Sequence, residues 1–433
     1  MKWLTIIELH NIISSVSKAR RAYTMALLEN DNRIFIAVDP GFDSIKVTVN
    51  GYYLKFPKEV ADVTDLDESS YLGKKNKSYM KVHYIEGKEH LVGAYAATYL
   101  NENRSNVANG REESERLNDT FETFKTIDKQ ILIMSAIARG LIVYAQKAGN
   151  KFVRLDKNSD GTYDVNVNGS EIYVGVALPH DAVDSSWSYI ENWLKEEHTF
   201  KLETADATYN LKLDTHRAIA GSQVIAALYG VMTDDDGKQL EDEDGILDSK
   251  RLPAIVIDGG YRTLGIAHFT SVQMVDSSDS NLTFAMWNIY ENVAKQIREE
   301  TGRENITSMY IKQAMRKEDQ TVHYRDKNGK SMSLDAGEYV RKETRKVCEE
   351  MMQELRNKFD DLLEVKTIIV TGGTGMAYYE HIKECLSDSE WINVMLTDYE
   401  FQGENITPDY AIVIGMYKVL RHAVDRKTSK GKK

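Results

Sequence analysis

The sequence has few of the features that mark secreted, zinc-binding or membrane-spanning proteins. Its 433 residues include 2 cysteines, Cys348 and Cys385, which form no C-x-x-C pair and have no histidine cluster nearby. We therefore expect neither a disulfide framework nor a structural zinc site, and a reducing cytoplasm fits the chain. No uninterrupted apolar run approaches the roughly 18 residues of a membrane span. With only 5 prolines, no proline-rich linker marks a domain boundary.

Charge and composition exclude further classes of protein. The net charge of −12 argues against a general binder of nucleic acid or of anionic membranes. The hydrophobic content of 42% and the charged content of 28% are ordinary for a globular protein. The length provides for roughly two to four domains.

The first 30 residues differ in pattern from the rest of the chain. Apolar residues at helical spacing precede the basic residues Lys18, Arg20 and Arg21, which is the reverse of the order in a secretory signal. The segment is interpreted as a docking helix or an upstream extension before Met25. An amphipathic membrane helix is the alternative.

The stretch RIFIAVDPGFDSIKVTVNG, residues 33–51, predicts two strands joined by a turn of Asp, Pro and Gly. One interpretation is a simple hairpin loop, because these are the usual turn formers. The other is a phosphate loop. Gly41 would let backbone N–H groups approach an anion, Lys46 would supply positive charge, and Asp39 would hold a hydrated Mg²⁺.

Two later stretches repeat this arrangement of an apolar strand followed by a glycine turn. LPAIVIDGGYRTLGIAHF again places an aspartate, Asp258, at the end of an apolar strand, and VKTIIVTGGTGMAYYEHIKE leads from a strand through glycines into a helix. The two strand–Asp–Gly-turn–strand units predict two related lobes. Three such turns favour a nucleotide whose phosphates are bound by backbone N–H groups from both lobes.

Other segments have simpler interpretations. Residues 124–149 predict a long amphipathic helix, and residues 185–197 a helix with Trp187, Ile190, Trp193 and Leu194 on one face. Residues 156–169 resemble a calcium loop, but Val167 occupies the position of the bidentate glutamate, so an exposed turn is favoured. The acidic run 234–244 predicts a solvated loop. A closing helix precedes a basic tail that is predicted to be disordered.

The order of these motifs resembles the actin, sugar-kinase and heat-shock-chaperone ATPase superfamily. Residues 39–46 resemble its first phosphate loop, 257–266 its second and 370–377 its adenosine loop. Gly415-Met416-Tyr417 resembles the second connecting helix. Within the superfamily, the chain is most similar to the ParM-type plasmid segregation proteins over residues 33–422. The sequence departs from that pattern at Pro40 and at Tyr261-Arg262.

The resemblance implies an α/β, actin-like (ribonuclease-H-like) fold with two lobes and the nucleotide in the cleft between its domains. Domain I would span 33–235, with IA carrying an inserted IB at about 51–120, and would be completed by 408–426. Domain II (IIA and IIB) would span 250–407. Residues 1–32 would form an N-terminal extension, and 427–433 a basic tail.

The resemblance also implies the site residues and two cofactors, ATP and Mg²⁺. Asp39 and Asp258 would hold the magnesium through water, and Gln223 would position the hydrolytic water. Residues near the phosphates would be Gly41, Ser44, Lys46, Gly259, Gly260 and Thr263. Residues on the adenosine would be Gly372, Gly373, Thr374, Gly375 and Met376, with Arg298 and Glu299 near the ribose and base.

The function implied is that of an actin-like ATPase that polymerises on ATP binding, disassembles after hydrolysis and segregates plasmid DNA in the cytoplasm. Its partners would be further copies of itself and a DNA-binding adaptor protein on a plasmid centromere. Direct sequence-specific DNA binding and membrane contact are not expected. The alternatives are an MreB-type or other bacterial cytoskeletal filament, or a non-polymerising kinase or chaperone ATPase of the same fold.

Overall fold

The computed structural model describes residues 31–65, 75–102, 125–148, 151–242, 245–246, 251–270, 274–276, 280–281, 283–326 and 328–430. Most of the predicted N-terminal extension therefore lies outside the described residues. So do residues 243–244 of the acidic run, 66–74 and 103–120 of the predicted IB insertion and 431–433 of the tail.

The described residues contain 24 strands, numbered in chain order. They are β1 (Arg33–Pro40), β2 (Ser44–Val49), β3 (Tyr52–Pro57), β4 (Val60–Asp62), β5 (Met80–His83), β6 (His90–Val92), β7 (Arg154–Lys157), β8 (Tyr163–Asn166), β9 (Glu171–Leu178), β10 (His198–Thr204), β11 (Thr208–Leu213), β12 (Arg217–Ser222), β13 (Glu241–Asp242), β14 (Gly245–Ile246), β15 (Ala254–Gly259), β16 (Leu264–Phe269), β17 (Met274–Asp276), β18 (Ser280–Asn281), β19 (Thr321–Arg325), β20 (Ser331–Asp335), β21 (Thr367–Thr371), β22 (Asn393–Leu396), β23 (Tyr399–Phe401) and β24 (Glu404–Ile406).

Helices in the same described ranges carry most of the remaining core residues. They are α1 (Ala94–Glu102), α2 (Ile127–Ala148), α3 (His180–Leu194), α4 (Gln223–Met232), α5 (Met286–Thr301), α6 (Ser308–Met315), α7 (Ala336–Lys358), α8 (Gly372–Cys385) and α9 (Ala411–Lys430), with a short 3-10 helix at Asp360–Leu362.

The chain divides into two compact units. The first contains the residues up to Glu241 and those from Asp398 onward, and the second runs from Asp242 to Thr397. The hairpin β23–β24 thus belongs to the first unit, whereas the predicted ranges assign it to domain II. The subdivision into IA, IB, IIA and IIB stays a prediction.

The first unit is built on a five-stranded sheet in the order β12-β9-β1-β2-β3. Strand β1 lies in the middle, parallel to β9 and antiparallel to β2. Its run Ile34 to Val38 is fully buried, as a strand covered on both faces requires. Helix α2 packs against β1 and β2, and α9 against β1 and β9.

A second sheet in the first unit has seven strands in the order β4-β6-β5-β10-β11-β8-β7. It contains both predicted small hairpins, the one around residue 87 and the pair β10–β11. The calcium-like stretch forms the hairpin β7–β8, in which Asp160 Oδ1 accepts hydrogen bonds from the backbone N–H and the hydroxyl of Thr162. The exposed-turn interpretation is confirmed.

The second unit repeats the central strand arrangement of the first. Its sheet has the order β17-β16-β15-β21-β22, with β18 also paired to β16. Strand β15 is antiparallel to β16 and parallel to β21, and β21 is parallel to β22. The series β2-β1-β9-β12 has the same directions in the first unit. The prediction of two related lobes is confirmed at the level of topology.

Helix α2 is long and apolar enough to cross a membrane by length and composition alone. In the first unit, however, 67% of its apolar window is buried against protein, with residues such as Ile133, Ile137 and Leu141 fully covered. Burial in a core accounts for the apolar composition of this helix.

Three local predictions need correction. Ile190, Trp193 and Leu194 are buried as predicted for α3, but Trp187 is 45% exposed, because it lies off the buried face. The closing helix α9 continues to Lys430, into the segment predicted to be a disordered tail. The acidic run is only partly a solvated loop, since Asp235 accepts a hydrogen bond from the backbone of Gln402 and Asp236 pairs with Arg421.

Candidate functional site

The first predicted loop is a tight hairpin in which two charged side chains meet. Asp39 and Lys46 are partners in the register of β1 and β2, and Lys46 Nζ donates to Asp39 Oδ2 at 3.0 Å. The Asp39 side chain is only 2% exposed and that of Lys46 18%. A carboxylate so well buried is retained only with partners that compensate for its lost hydration.

Gly41 allows the backbone of this turn to pass close to the ion pair. A Cβ at this position would lie 2.9 Å from the carbonyl oxygen of Ser44 and 3.2 Å from Lys46 Nζ. Any larger residue would have to displace the turn or the lysine. The structure therefore brings together Asp39, Gly41, Ser44 and Lys46, as the sequence predicts.

Gln223 reaches the same place through the topology of the sheet. Strands β1, β9 and β12 are parallel, so their carboxyl ends share one edge, and Gln223 begins α4 directly after β12. Its Nε2 donates to Asp39 Oδ1 at 2.7 Å, across 184 positions of sequence. Because a carboxylate only accepts, the amide nitrogen must face Asp39, and the amide oxygen points away from it.

The second loop ends β15 in the second unit. The half-buried Asp258 is the register partner of Thr371 on the parallel strand β21. The N–H of Gly260 donates to the carbonyl oxygen of Thr263 at 2.9 Å, which closes the glycine turn. The turn presents backbone at the carboxyl end of the strand, where open α/β sheets bind ligands.

The predicted adenosine loop lies directly against this turn. Thr374 Oγ1 donates to the carbonyl oxygen of Gly260 at 2.6 Å. A Cβ on Gly259 would be 2.2 Å from the nitrogen of Gly375, and one on Gly372, whose φ is +77°, 2.5 Å from the carbonyl oxygen of Gly259. These glycines are needed because two backbone segments touch.

Helix α8 starts within the same loop and leaves polar backbone groups at its beginning. Its N-cap residue Thr371 makes no side-chain capping hydrogen bond, so the first N–H groups carry the positive end of the helix dipole. Gly373 has open space around its Cα, and the Met376 side chain is 46% exposed. Backbone donors and an exposed apolar side chain suit a phosphate or a base.

Arg298 and Glu299 have other surroundings. Arg298 donates to the carbonyl oxygen of Ile306 at 2.8 Å and to Glu291 Oε1 at 3.1 Å, so its guanidinium ties the loop after α5 to its own helix. Glu299 is exposed. That these two residues contact the ribose and base of a nucleotide stays a prediction. The hydrogen bonds of Arg298 give it no support.

Sequence reasoning missed two residues, one at the first loop and one next to Ser222, which precedes Gln223. Lys129, in the first turn of α2, donates to the carbonyl oxygen of Pro40 at 3.1 Å and is 7% exposed. His180, which begins α3, has its Nδ1 3.2 Å from the hydroxyl oxygen of Ser222, the residue before Gln223. Lys129 could have been found from the sequence, because it is a lysine at a position on the apolar face of a helix. No local pattern indicated His180.

Each unit thus carries the same arrangement of polar groups at a sheet edge. An aspartate ends an apolar strand, a glycine turn follows, and an uncapped helix start lies at the same sheet edge, α4 in the first unit and α8 in the second. Among the residues that the structure describes, no group of three or more His, Cys, Asp or Glu could hold a metal ion directly. The chemistry suits a phosphate anion with a cation held through water.

One protein-family model matches part of the second half of the chain. It describes the archaeal actin homologue MreB-like, C-terminal, and covers residues 256–384. A sequence search of curated proteins found no match.

Comparison with solved structures defines the fold. The actin-like protein Alp7A matches with a TM-score of 0.62 and 15% identity, over 92% of this chain and 99% of that one. Bacillus thuringiensis ParM with ATP matches with a TM-score of 0.51 and 15% identity, over 92% and 100%. An Alp12 filament structure matches with a TM-score of 0.51 and 14% identity, over 91% and 99%.

These matches span nearly the whole length of each protein, so the chain has the actin-like α/β fold. Within that class, its structural neighbours include ParM and the actin-like proteins Alp7A and Alp12. The resemblance to ParM-type proteins predicted from the motifs is confirmed at the level of the fold.

Proposed function

We propose that this protein is an actin-like ATPase that assembles into filaments on binding ATP and disassembles after hydrolysis, and that these filaments segregate plasmid DNA. The observation that carries the proposal is the Gln223 amide on the buried Asp39 carboxylate at 2.7 Å. The contact supports the proposal because it holds a side-chain amide beside a buried carboxylate at the start of the predicted phosphate loop.

In this proposal, residues of both units act on one ATP. Lys46 and the turn backbone at Gly41 and Ser44 would bind the β- and γ-phosphates, as would Gly259, Gly260 and Thr263. The segment Gly372 to Met376 would bind the adenosine. Positive charge and backbone N–H groups are the donors that phosphates require.

The magnesium ion would be held through its water shell. Both oxygens of Asp39 already accept hydrogen bonds, from Lys46 and from Gln223, so an outer-sphere role fits Asp39 better than direct ligation. Asp258 would contribute the second carboxylate. When bound, the ion would neutralise charge on the phosphates.

Gln223 would orient the attacking water rather than remove its proton. An amide is not a strong base at neutral pH, but an oxygen fixed in direction can accept a hydrogen bond from water. The bond from Nε2 to Asp39 supplies that fixed direction. Asp39 and Asp258 would polarise the same water through the magnesium shell.

The proposed partners follow from the kind of protein. Filaments would consist of further copies of this chain, and a DNA-binding adaptor would link them to a plasmid centromere in the cytoplasm. The structural neighbours described as an Alp12 filament and as ParM with ATP support assembly and ATP as the ligand. A second candidate, an MreB-type cytoskeletal filament, is favoured by the family model over residues 256–384.

Sedimentation with and without nucleotide tests the proposal. We expect the protein to pellet with ATP·Mg²⁺ and to stay in the supernatant without nucleotide, and light scattering should fall again as phosphate is released. Asp258→Ala should abolish phosphate release. A wild-type protein that stays monomeric at tens of micromolar with ATP, at several salt concentrations, would exclude both filament candidates.

Plasmid retention then distinguishes the two filament roles. A plasmid-segregation protein should raise the retention of an unstable plasmid carrying its own partition locus, and deletion of the gene should abolish the effect. An assembling protein without any effect on retention would favour the MreB-type role.

A further inference from the structure

The hydrogen bond between Gln223 and Asp39 reaches across the end of a third strand. Strand β9 lies between β12 and β1 in the sheet, and the chain leaves it at Leu178 to begin α3 at His180. Gln223 follows β12 and donates to Asp39, near the end of β1, at 2.7 Å. Neighbouring strands are about 4.8 Å apart, so β12 and β1 are separated by roughly 10 Å. The contact therefore depends on where α4 starts.

Ser222, the residue before Gln223, has an unusual role at this start. It is the N-cap residue of α4, with the extended backbone of such a residue. A serine here usually accepts a hydrogen bond from the second or third N–H of its own helix. The Ser222 side chain makes no capping hydrogen bond. Its hydroxyl oxygen instead lies 3.2 Å from Nδ1 of His180, so the contact joins the first turn of α3 to the start of α4.

The burial of Ser222 gives this contact weight. Its side chain is buried, with the residue 4% exposed, and its backbone is the register partner of Leu178. A buried hydroxyl that loses its partner has little access to water as a replacement, so the loss costs more than at an exposed site. A serine that forgoes the cap of its own helix also departs from its local preference. Such departures occur in proteins mainly at functional sites.

We infer that His180 is a positioning residue for ATP hydrolysis. It holds Ser222 and thereby the start of α4, so that the Gln223 amide stays on Asp39 and its oxygen keeps the direction needed for the attacking water. The inference rests on the proposed function, because ATP hydrolysis is the proposed reaction.

Phosphate release by matched variants tests this role. His180→Leu removes Nδ1, and we expect it to slow phosphate release about three- to tenfold, the usual effect of one lost hydrogen bond, with ATP affinity unchanged. Ser222→Ala removes the same contact from the other side and should slow the reaction equally. His180→Asn, whose side chain can place a polar atom near the position of Nδ1, should recover most of the rate. His323→Leu, at a 62% exposed histidine, should change nothing.

The same substitution in a second background distinguishes positioning from a structural role. If His180 acts through Gln223, adding His180→Leu to Gln223→Ala should slow phosphate release no further, because the positioned group is already absent. An equal slowing by His180→Leu in both backgrounds would overturn the inference. So would wild-type phosphate release by folded His180→Leu and Ser222→Ala proteins, even if both unfold at a lower temperature.

A further readout needs no nucleotide. In the nucleotide-free protein, the side-chain amide protons of Gln223 should shift in the NMR spectrum of His180→Leu and exchange faster with solvent, because their bond to Asp39 is weakened. His180→Asn and His323→Leu should leave these signals close to those of the wild type. Unchanged Gln223 signals in His180→Leu would also contradict the positioning role.

Failure of the inference and failure of the proposed function give different results. If the wild type hydrolyses ATP and His180→Leu hydrolyses it equally fast, only the positioning role is wrong. If the wild type neither binds nor hydrolyses ATP, the proposed function is wrong, and the inference falls with it.

Discussion

At the residue scale, Asp39 organises the site in the first unit, because its two oxygens accept hydrogen bonds from side chains on two different elements. Lys46 comes from β2 and Gln223 from the start of α4. Removing either donor takes away the hydrogen bond that this donor makes to one oxygen of the buried Asp39 carboxylate. The three side chains therefore form one unit, and their substitutions should not have additive effects.

Gln223→Ala separates nucleotide binding from hydrolysis. Phosphate contacts come from Lys46 and backbone N–H groups in the proposal, so ATP affinity should stay nearly intact. Loss of the water-positioning amide should slow phosphate release roughly 10²- to 10³-fold. Filaments should still form but should disassemble slowly. Affinity, phosphate release and filament lifetime are measured together.

The exposed Gln239 provides the control, and Gln239→Ala should behave as the wild type. Wild-type phosphate release by a folded Gln223→Ala protein would remove Gln223 from the chemistry. A loss of ATP binding would instead indicate that the main role of the amide is to hold Asp39.

The contacts of Glu203, on the seven-stranded sheet, lead us to expect a loss of folding stability in acid. His83 Nε2 lies 2.8 Å from its Oε1 and Lys81 Nζ 3.6 Å from its Oε2. The hydrogen bond with His83, with the charges of Lys81 and Lys201, lowers the pKa of Glu203 from 4.5 to about 2. A lowered pKa stabilises the fold above pH 4.5, and this stabilisation is lost as the pH falls towards 2.

Thermal unfolding of Glu203→Gln tests this pH dependence. The variant should unfold at a lower temperature than the wild type at pH 6, and the difference should shrink at pH 3. The control Glu197→Gln changes a 59% exposed glutamate paired with Lys212, so it should have little effect at either pH. A difference between Glu203→Gln and the wild type that is equal at both pH values would contradict the assignment.

The sequence could predict site residues where chemistry and local pattern coincide. Asp39 and Asp258 lie at the ends of apolar strands and Gly41 lies in the turn that follows the first of them, as the structure shows. It could not predict that Gln223 would bond to Asp39, because that contact depends on the parallel pairing of β12, β9 and β1. Lys129 was overlooked because the pattern of α2 is apolar, although it is the only charged side chain among the buried residues of that helix.

At the element scale, Gly415 allows helices α4 and α9 to approach each other closely in the first unit. A Cβ there would lie 1.8 Å from the carbonyl oxygen of Ala226 and 2.5 Å from its carbonyl carbon. Both are backbone atoms of α4, which no side-chain rotation can move away. Helices α4 and α9 can cross this closely only while position 415 has no side chain.

Gly415→Ala should therefore force α9 away from α4. We expect a loss of about 1–3 kcal/mol in the free energy of unfolding, as for other overpacked cores, measured by urea unfolding. Gly373→Ala provides the control, because a Cβ there meets nothing within 4 Å, and it should be neutral or slightly stabilising. Equal stability of Gly415→Ala and the wild type would show that the two helices have room to shift.

The same packing explains the Gly-Met-Tyr motif that the sequence assigned to a connecting helix. Met416 lies against Gly175 and Gly221, where Cβ atoms would be 3.0 Å and 3.4 Å from its side chain. The Tyr417 ring lies 6.2 Å from that of Phe35 and 5.5 Å from that of Phe401. The motif was recognised as a family pattern, but its physical basis is contact between elements distant in sequence, which no local pattern can show.

At the scale of the whole molecule, one strand arrangement is repeated in both units, and each copy has an aspartate at the end of its first strand. Asp39 and Asp258 occupy corresponding ends of β1 and β15. If one ATP uses both, each carboxylate contributes to the same binding equilibrium. Binding would then stabilise the folded chain as a whole, through residues of both units.

Thermal unfolding with and without ATP·Mg²⁺ tests this coupling. Ligand at 100 times its Kd should stabilise the wild type by about 2.7 kcal/mol. We expect Asp39→Asn and Asp258→Asn each to reduce this gain, measured against the nucleotide-free form of the same variant. The double variant should lose less than the sum of the two single losses, by more than about 0.5 kcal/mol, because both residues act on one ligand. Asp388→Asn, at an exposed position, should keep the full gain. Strictly additive losses would mean that the two carboxylates act independently, and an unchanged gain in either single variant would remove that residue from the nucleotide site.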